Sequence, residues 1–317
     1  MPKLQVVQPK PADPLARSID DYLASVKARG LSPKTTTHYE AILRSIFLPF
    51  LADQNVKTPQ AIDQRVLDRL STQLLEVGGA RGQLSRHSVN SYMTTISHYL
   101  NWARKDGEIT STAKPQRVKL PTRVLNVLSR EELRAMEDAA TTERDKLIVR
   151  VLADTGLRLS ELLGLRAQDL SEQGRDRYIK VMGKGSRERL VPLQPSLYQR
   201  LRRYAERGRP KDTTTDRIFL TARHSRITKG YEPLEPRAVQ DLMSVLAAKA
   251  EIQDKPTNPH SLRHAFATWC LRRGMNPIQL QRILGHSDLT MISNVYGHLA
   301  PTDAAAALMA VLRSDEG

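Results

Sequence analysis

Residues 258–300 read NPHSLRHAFATWCLRRGMNPIQLQRILGHSDLTMISNVYGHLA. Asn258 is a good N-cap and Pro259 suits the first helical position, so a helix is predicted over 259–273, stopped by Gly274. His260 and Arg263 are three apart and share one face of it. His260 also lies in the first turn, where free backbone N–H groups and the helix dipole favour an anion. A histidine and an arginine in that place suit a phosphate. Asn276-Pro277 opens a second helix closed by Gly285, His286 follows at the turn, and Ser287-Asp288 caps a third helix that carries Tyr296. Taken singly, each residue also fits three packed helices with polar side chains on their wet side. The combination of HSLRH, LGHS and one following tyrosine asks for a single explanation.

The rest of the chain bounds that explanation. At 317 residues, two domains are the natural division, and 40% hydrophobic residues allow ordinary cores. The formal net charge is +15, and both sides of Leu120 carry more Lys and Arg than Asp and Glu. This favours a polyanionic partner gripped by the whole molecule over a basic tail on a neutral enzyme. Cys270 is the only cysteine, which excludes an intrachain disulfide and a cysteine-based zinc site. It sits among Phe266, Trp269 and Leu271 and reads as a small core residue. No apolar run reaches transmembrane length, and the first residues lack the apolar stretch of a signal peptide, so a cytoplasmic, nucleoid-associated protein with no membrane contact is expected.

In chain order, residues 1–13 read as a flexible arm with Pro2, Pro9 and Pro11. Residues 14–109 read as a four-helix domain, with helices over 14–29, 32–51, 58–77 and 85–105 set by apolar periodicity and by Pro and Ser at their starts. Residues 110–126 form a basic linker with Lys114, Arg117, Lys119 and Arg123, suited to track a phosphate backbone. The second domain, 127–317, opens with the capping box Ser129-x-x-Glu132. A strongly apolar helix follows over 143–155, broken by Gly156. The period then changes to two: residues 178–182 and 187–193 flank GKGS and predict a hairpin, with 217–221 as a third strand. Helices are predicted over 195–207 and 236–250, and an apolar tail helix over 301–313. The class is mainly α (α+β), with a small antiparallel sheet in a mostly helical second domain.

HSLRHAFAT, LGHSDL and NVYGHL resemble the C-terminal signature of the tyrosine recombinases, the family of phage integrases and bacterial Xer proteins. TGLRLSELLGL (155–165) resembles that family's first-arginine motif, and GKGSRERLVPL (183–193) its lysine hairpin. The motifs stand in the family's order and cover the chain strongly from about Ser129 onward. The interval from His286 to Tyr296 is one residue longer than usual for the family. The resemblance implies that the first domain is a core-binding domain lying on one face of DNA, with Lys34, Thr35, Arg86, His87, Asn90, Lys119 and Arg123 as candidate contacts. Its catalytic residues match Arg158, Lys184, His260, Arg263, His286 and Tyr296, with Glu161 in support.

The chemistry of these side chains agrees. A phosphodiester resists attack because its charge repels nucleophiles and its alkoxide leaves poorly. Covalent catalysis needs a nucleophile, cations where charge develops, and an acid for the leaving oxygen. Tyr296 is the candidate nucleophile. Arg158 and Arg263 can fork onto the non-bridging oxygens. Lys184, at a hairpin tip, can protonate the leaving 5′ oxygen. His260 is a proton acceptor or phosphate ligand, His286 a donor to the phosphate, and Glu161 orients Arg158 or His260. His260 and His264 are spaced as HxxxH, but no acidic third ligand is evident, so no metal or other cofactor is expected. The expected partner is double-stranded DNA with inverted half-sites, cut by a homotetramer, or a tetramer shared with a paralogous recombinase, on paired sites. The alternatives are a type IB topoisomerase-like enzyme, which would relax DNA without exchange, and a non-catalytic DNA-binding regulator, which would leave no covalent adduct.

Overall fold

A computed structural model describes residues 13–77, 82–120, 126–183 and 188–285. The chain divides into two compact units, Met1–Thr122 and Arg123–Gly317. Helix caps set most element starts in the first. Asp13 caps α1 (Pro14–Ala28), Ser32 caps α2 (Pro33–Ile42), Asp63 caps α4 (Gln64–Glu76) and Ser85 caps α5 (Arg86–Lys105). A π-helical turn, Leu43–Phe47, joins α2 to α3 (Leu48–Asp53). Thr58-Pro59 opens a short 3-10 turn, Pro59–Ala61, in place of the predicted helix start. The helix begins later because Asp63 is extended and its carboxylate accepts from the Val66 N–H at 2.9 Å. The core of this unit centres on Ile19, Tyr22, Leu43, Phe47, Leu70, Ile96 and Tyr99.

The stretch read as a linker is bonded to this unit as far as Lys119. Asn90 holds the Val118 backbone from both sides, at 2.8 and 3.0 Å. Gln64 does the same for Lys114 at 3.0 and 3.2 Å, and Arg86 donates to the Lys119 carbonyl at 3.0 Å. Arg104 donates to the carbonyls of Ser111 and Ala113. An irregular segment cannot satisfy its own backbone, and here helix side chains do so.

In the second unit, the capping box of Ser129 and Glu132 starts α6 (Arg130–Asp138), with both of its hydrogen bonds formed. Thr142 caps α7 (Glu143–Thr155), whose inner face is wholly buried. Gly156 ends α7 in the left-handed region, and α8 (Leu159–Gly164) follows. The sheet is antiparallel in the order β1-β2-β3, from β1 (Leu170–Gln173), β2 (Asp176–Met182) and β3 (Glu188–Leu193). The predicted hairpin is present, with Met182 opposite Glu188 as its last pair. The third strand is not 217–221 but β1, which a tight turn joins to β2. Residues 217–221 instead pack Ile218, Phe219 and Leu220 into the core through isolated bridges only. Helix α9 (Pro195–Arg203) runs into a π-helical turn, Tyr204–Gly208, and α10 (Pro236–Lys249) follows. Asn258 caps α11 (Pro259–Arg272), and Asn276 caps α12 (Pro277–Leu284), which Gly285 ends. Helix α11 is buried along most of its length, through Leu262, Arg263, Ala265, Phe266, Ala267, Cys270 and Leu271. No helix among the described residues is long and apolar enough to cross a membrane.

Candidate active site

The corner between α7 and α8 builds the site. Gly156 sits at φ +61°, and a Cβ there would lie 2.6 Å from Phe266 Cδ1 and 2.7 Å from Leu284 Cδ2. Only glycine lets α7, α11 and α12 meet this closely, and the conformation is one that other residues adopt at a cost. The Gly156 carbonyl then accepts from Arg263 Nη1, while Arg263 Nη2 donates to the Leu284 carbonyl at 2.6 Å. That same carbonyl accepts from Arg158 Nη1 at 3.4 Å, so one acceptor at the end of α12 draws both arginines together. Arg158 Nη2 donates to the Gly285 carbonyl at 2.9 Å. A helix C-terminus leaves its last carbonyls unpaired and is the negative end of the dipole, so guanidinium groups belong there.

The two arginines differ in access. Arg263 is 2% exposed, and burial, then the charge of Arg158, pushes it down to about 9. The Arg158 side chain keeps 36% of its surface. Arg158 therefore presents an open face to solvent, whereas Arg263 is enclosed by its neighbours.

Glu161 lies one turn from Arg158 with its side chain 5% exposed. Its Oε1 accepts from Arg158 Nη1 at 2.9 Å and from Arg189 Nη1 at 2.8 Å. Its Oε2 accepts from Arg189 Nη2 at 2.8 Å and from the Arg158 backbone N–H at 2.7 Å. Burial pushes this carboxyl up, but the Arg189 and Arg158 hydrogen bonds outweigh it and hold the group below its ordinary value. Glu161 is thus an ionised orienting group with its acceptor capacity filled. It does not touch His260 through any of these bonds.

His260 stands in the first turn of α11, as its sequence position requires, with its ring 4.4 Å from that of His264 and the two Nε2 atoms 2.9 Å apart. Burial, then Arg263 and Arg158, lowers the pKa of His260; burial, then His260 and Arg263, lowers that of His264. Among the described residues no third His, Cys, Asp or Glu joins this pair in a metal-binding group. Cys270 is buried on α11, and burial pushes its thiol up to about 11, which makes it inert.

The structure thus brings Arg158, Glu161, His260 and Arg263 together. Lys184, His286, Tyr296 and Arg123 lie outside the described residues. In the first unit, Lys34, Arg86, His87 and Lys119 are exposed, and Thr35 and Asn90 are partly so. His38 of α2 bonds Ser91 of α5 at 3.3 Å, and a groove beside them is lined by His38, His87, Asn90 and Arg117. Sequence reasoning missed Arg189. Its signal was an arginine at an inward position of β3, where Val191 and Leu193 on the same face are buried.

Residues 126–303 match the phage integrase family. The chain is 31% identical over 281 residues to the tyrosine recombinase XerD of Yersinia pestis, which spans 86% of this chain and 89% of that protein. It is 28% identical over 297 residues to the XerD of Staphylococcus epidermidis, across 89% of this chain and 94% of that one. Among solved structures, the Tn1549 transposon integrase in complex with a circular intermediate DNA covers 93% of this chain and 99% of its own, at 21% identity and a TM-score of 0.68. The XerH site-specific recombinase bound to difH substrate, in its pre-cleavage complex, covers 92% and 83% at 20% identity and a TM-score of 0.65. At these identities the structures share the fold with this chain.

Proposed function

The chain belongs to the phage integrase family, and from that premise we propose which of its residues cut and rejoin DNA. It is a tyrosine recombinase, an enzyme that breaks and rejoins strands in site-specific recombination. In the reading we favour, the phenolic oxygen of Tyr296 attacks the scissile phosphorus. The P–O5′ bond breaks, a 3′-phosphotyrosyl bond forms, and the departing 5′ oxygen takes a proton from Lys184 Nζ. The phenolic proton passes to His260, whose lowered pKa keeps it neutral and able to accept. Arg158 and Arg263 offset the charge that develops on the non-bridging oxygens, and His286 donates to one of them. The 5′-hydroxyl of the partner duplex then attacks the phosphotyrosyl phosphorus and gives its proton to Lys184, the bond from phosphorus to the tyrosine oxygen breaks, His260 returns its proton to that oxygen, and the exchanged strand closes. Bond energy is conserved through the covalent intermediate, so the cycle needs no energy source.

The observation that carries this reading is the arginine pair, drawn together by the carbonyl of Leu284, the last residue of α12 and two before His286. The first unit acts as a four-helix core-binding domain that lays Lys34, Thr35, Arg86, His87 and Asn90 on the duplex. Lys119 and Arg123 follow the phosphate backbone. The target is DNA with inverted half-sites, cut by a homotetramer, and the protein works in the cytoplasm at the nucleoid. On nicked suicide substrates, Tyr296→Phe is expected to bind DNA as the parent does and to form no covalent adduct. An adduct that survives in this variant, on denaturing gels, removes Tyr296 from the role.

A further inference from the structure

We propose that Arg189 is a positioning residue for strand cleavage, acting from β3 on Glu161, through it on Arg158, and on the last turn of α12. The inference rests on the reading of Tyr296 and Arg158 above and adds a residue to it. Arg189 is 12% exposed in its side chain and spends all three of its nitrogens within the protein. Nη1 and Nη2 form a fork on Glu161, each at 2.8 Å, and Nε donates to the Ile283 carbonyl at 2.7 Å. With Arg158 and Arg263, three arginines take the three successive carbonyls of Ile283, Leu284 and Gly285. The approach is tight: a Cβ on Gly285 would lie 2.9 Å from Arg189 Nη1.

Arg189 is well placed to couple three parts of the reaction. It stands opposite Val181, one pair from the end of the ladder between β2 and β3, and follows Lys184 by five residues in the sequence. It supplies two of the four donors that fill Glu161, and the other two come from Arg158. Without the fork, the buried carboxylate falls back on Arg158 alone and competes with the phosphate for that guanidinium. Without the Nε bond, the Ile283 carbonyl loses its partner three residues before His286. A guanidinium so enclosed meets no DNA, so its loss should disturb placement and leave binding alone.

The test uses the full-length chain and single-turnover cleavage of a suicide half-site, with Arg189→Gln, Arg189→Lys, Glu161→Gln and the pair E161Q/R189Q. Arg189→Gln is expected to bind with the parent's salt dependence, since no phosphate contact is lost. Its cleavage rate should fall about 10²-fold, the scale of a misplacement of about 1 Å. Arg189→Lys keeps the charge without the fork and should recover part of the loss. Sulfur at the 5′ bridging position makes a good leaving group; it should rescue Lys184→Ala and leave Arg189→Gln slow. E161Q/R189Q should cleave no more slowly than the slower single variant, because the two side chains act as a unit. The double variant also removes both buried charges, which keeps the test open if Arg189→Gln alone unfolds.

A merely structural loss would lower binding and cleavage together through the folded fraction. That result overturns the proposal, as do cleavage within about twofold of the parent, a salt slope reduced by about one contact, or losses that multiply in the double variant. If Tyr296→Phe still forms the adduct, the functional reading itself fails. If it abolishes the adduct while Arg189→Gln cuts normally, only the positioning role fails.

Discussion

At the scale of single residues, the His260–His264 pair has a consequence in stability. Their Nε2 atoms share one hydrogen bond at 2.9 Å, and His264 Nδ1 is buried without a partner among the described residues. A second proton would set two imidazolium groups against each other beside Arg263. Both pKa values are accordingly lowered in the folded chain. Between those values and the ordinary ~6.5, the unfolded chain binds more protons, so stability is present above the ordinary value and drains away as pH falls through the window. We expect the melting temperature to drop as pH falls below about 6.5, and His264→Asn to flatten that slope. Parallel curves for parent and variant would show that the pair does not titrate there. Arg158 and Arg263 were legible as candidate site residues because they sit in motifs. That Arg263 is enclosed while Arg158 keeps an open face depends on which helices cover each, and no spacing reports that.

At the scale of elements, the α7–α8 corner is the tightest junction in the site. Replacing Gly156 by Ala sets a Cβ against Phe266 and Leu284 and strains a left-handed residue. Gly274 has a similar φ, +82°, and nothing within 4 Å of its would-be Cβ. Gly274→Ala should therefore cost only the backbone term, about 1 kcal/mol. Gly156→Ala should add roughly 1–3 kcal/mol of overpacking to it. Denaturant titration of both variants checks the difference, and equal losses would mean that the corner relaxes freely. Cap residues announced α2, α5, α6, α11 and α12 in the sequence, because a cap bonds its own helix within three residues. The partner strand for β2 was misassigned because 217–221 has strand-like composition, and its burial comes from core packing instead.

At the scale of the whole molecule, the net charge of +15 and the basic surface of both units fit a protein that grips a polyanion. The proposed tetramer needs a contact between protomers, and the sequence offers one in 301–313, which lies outside the described residues. The sequence AAAALMAVL predicts a short and strongly apolar helix, and such a helix would need a partner surface. A chain ending at Ala300 is expected to bind a single half-site normally and to lose cooperative pairing and recombination. Footprinting and recombination assays on full sites decide this, and unchanged assembly would make the tail an intramolecular cap. The sequence by itself determined the family, the chemistry of its motifs and most helix starts, because those depend on side-chain identity and on bonds within one turn. Only the tertiary structure decided how the site is held. Arg158 reaches Gly285 across 127 residues, and Arg189 reaches Ile283 across 94. Such partners are set by how α8, β3 and α12 pack, and a backbone carbonyl carries no residue-specific mark by which the sequence could name it.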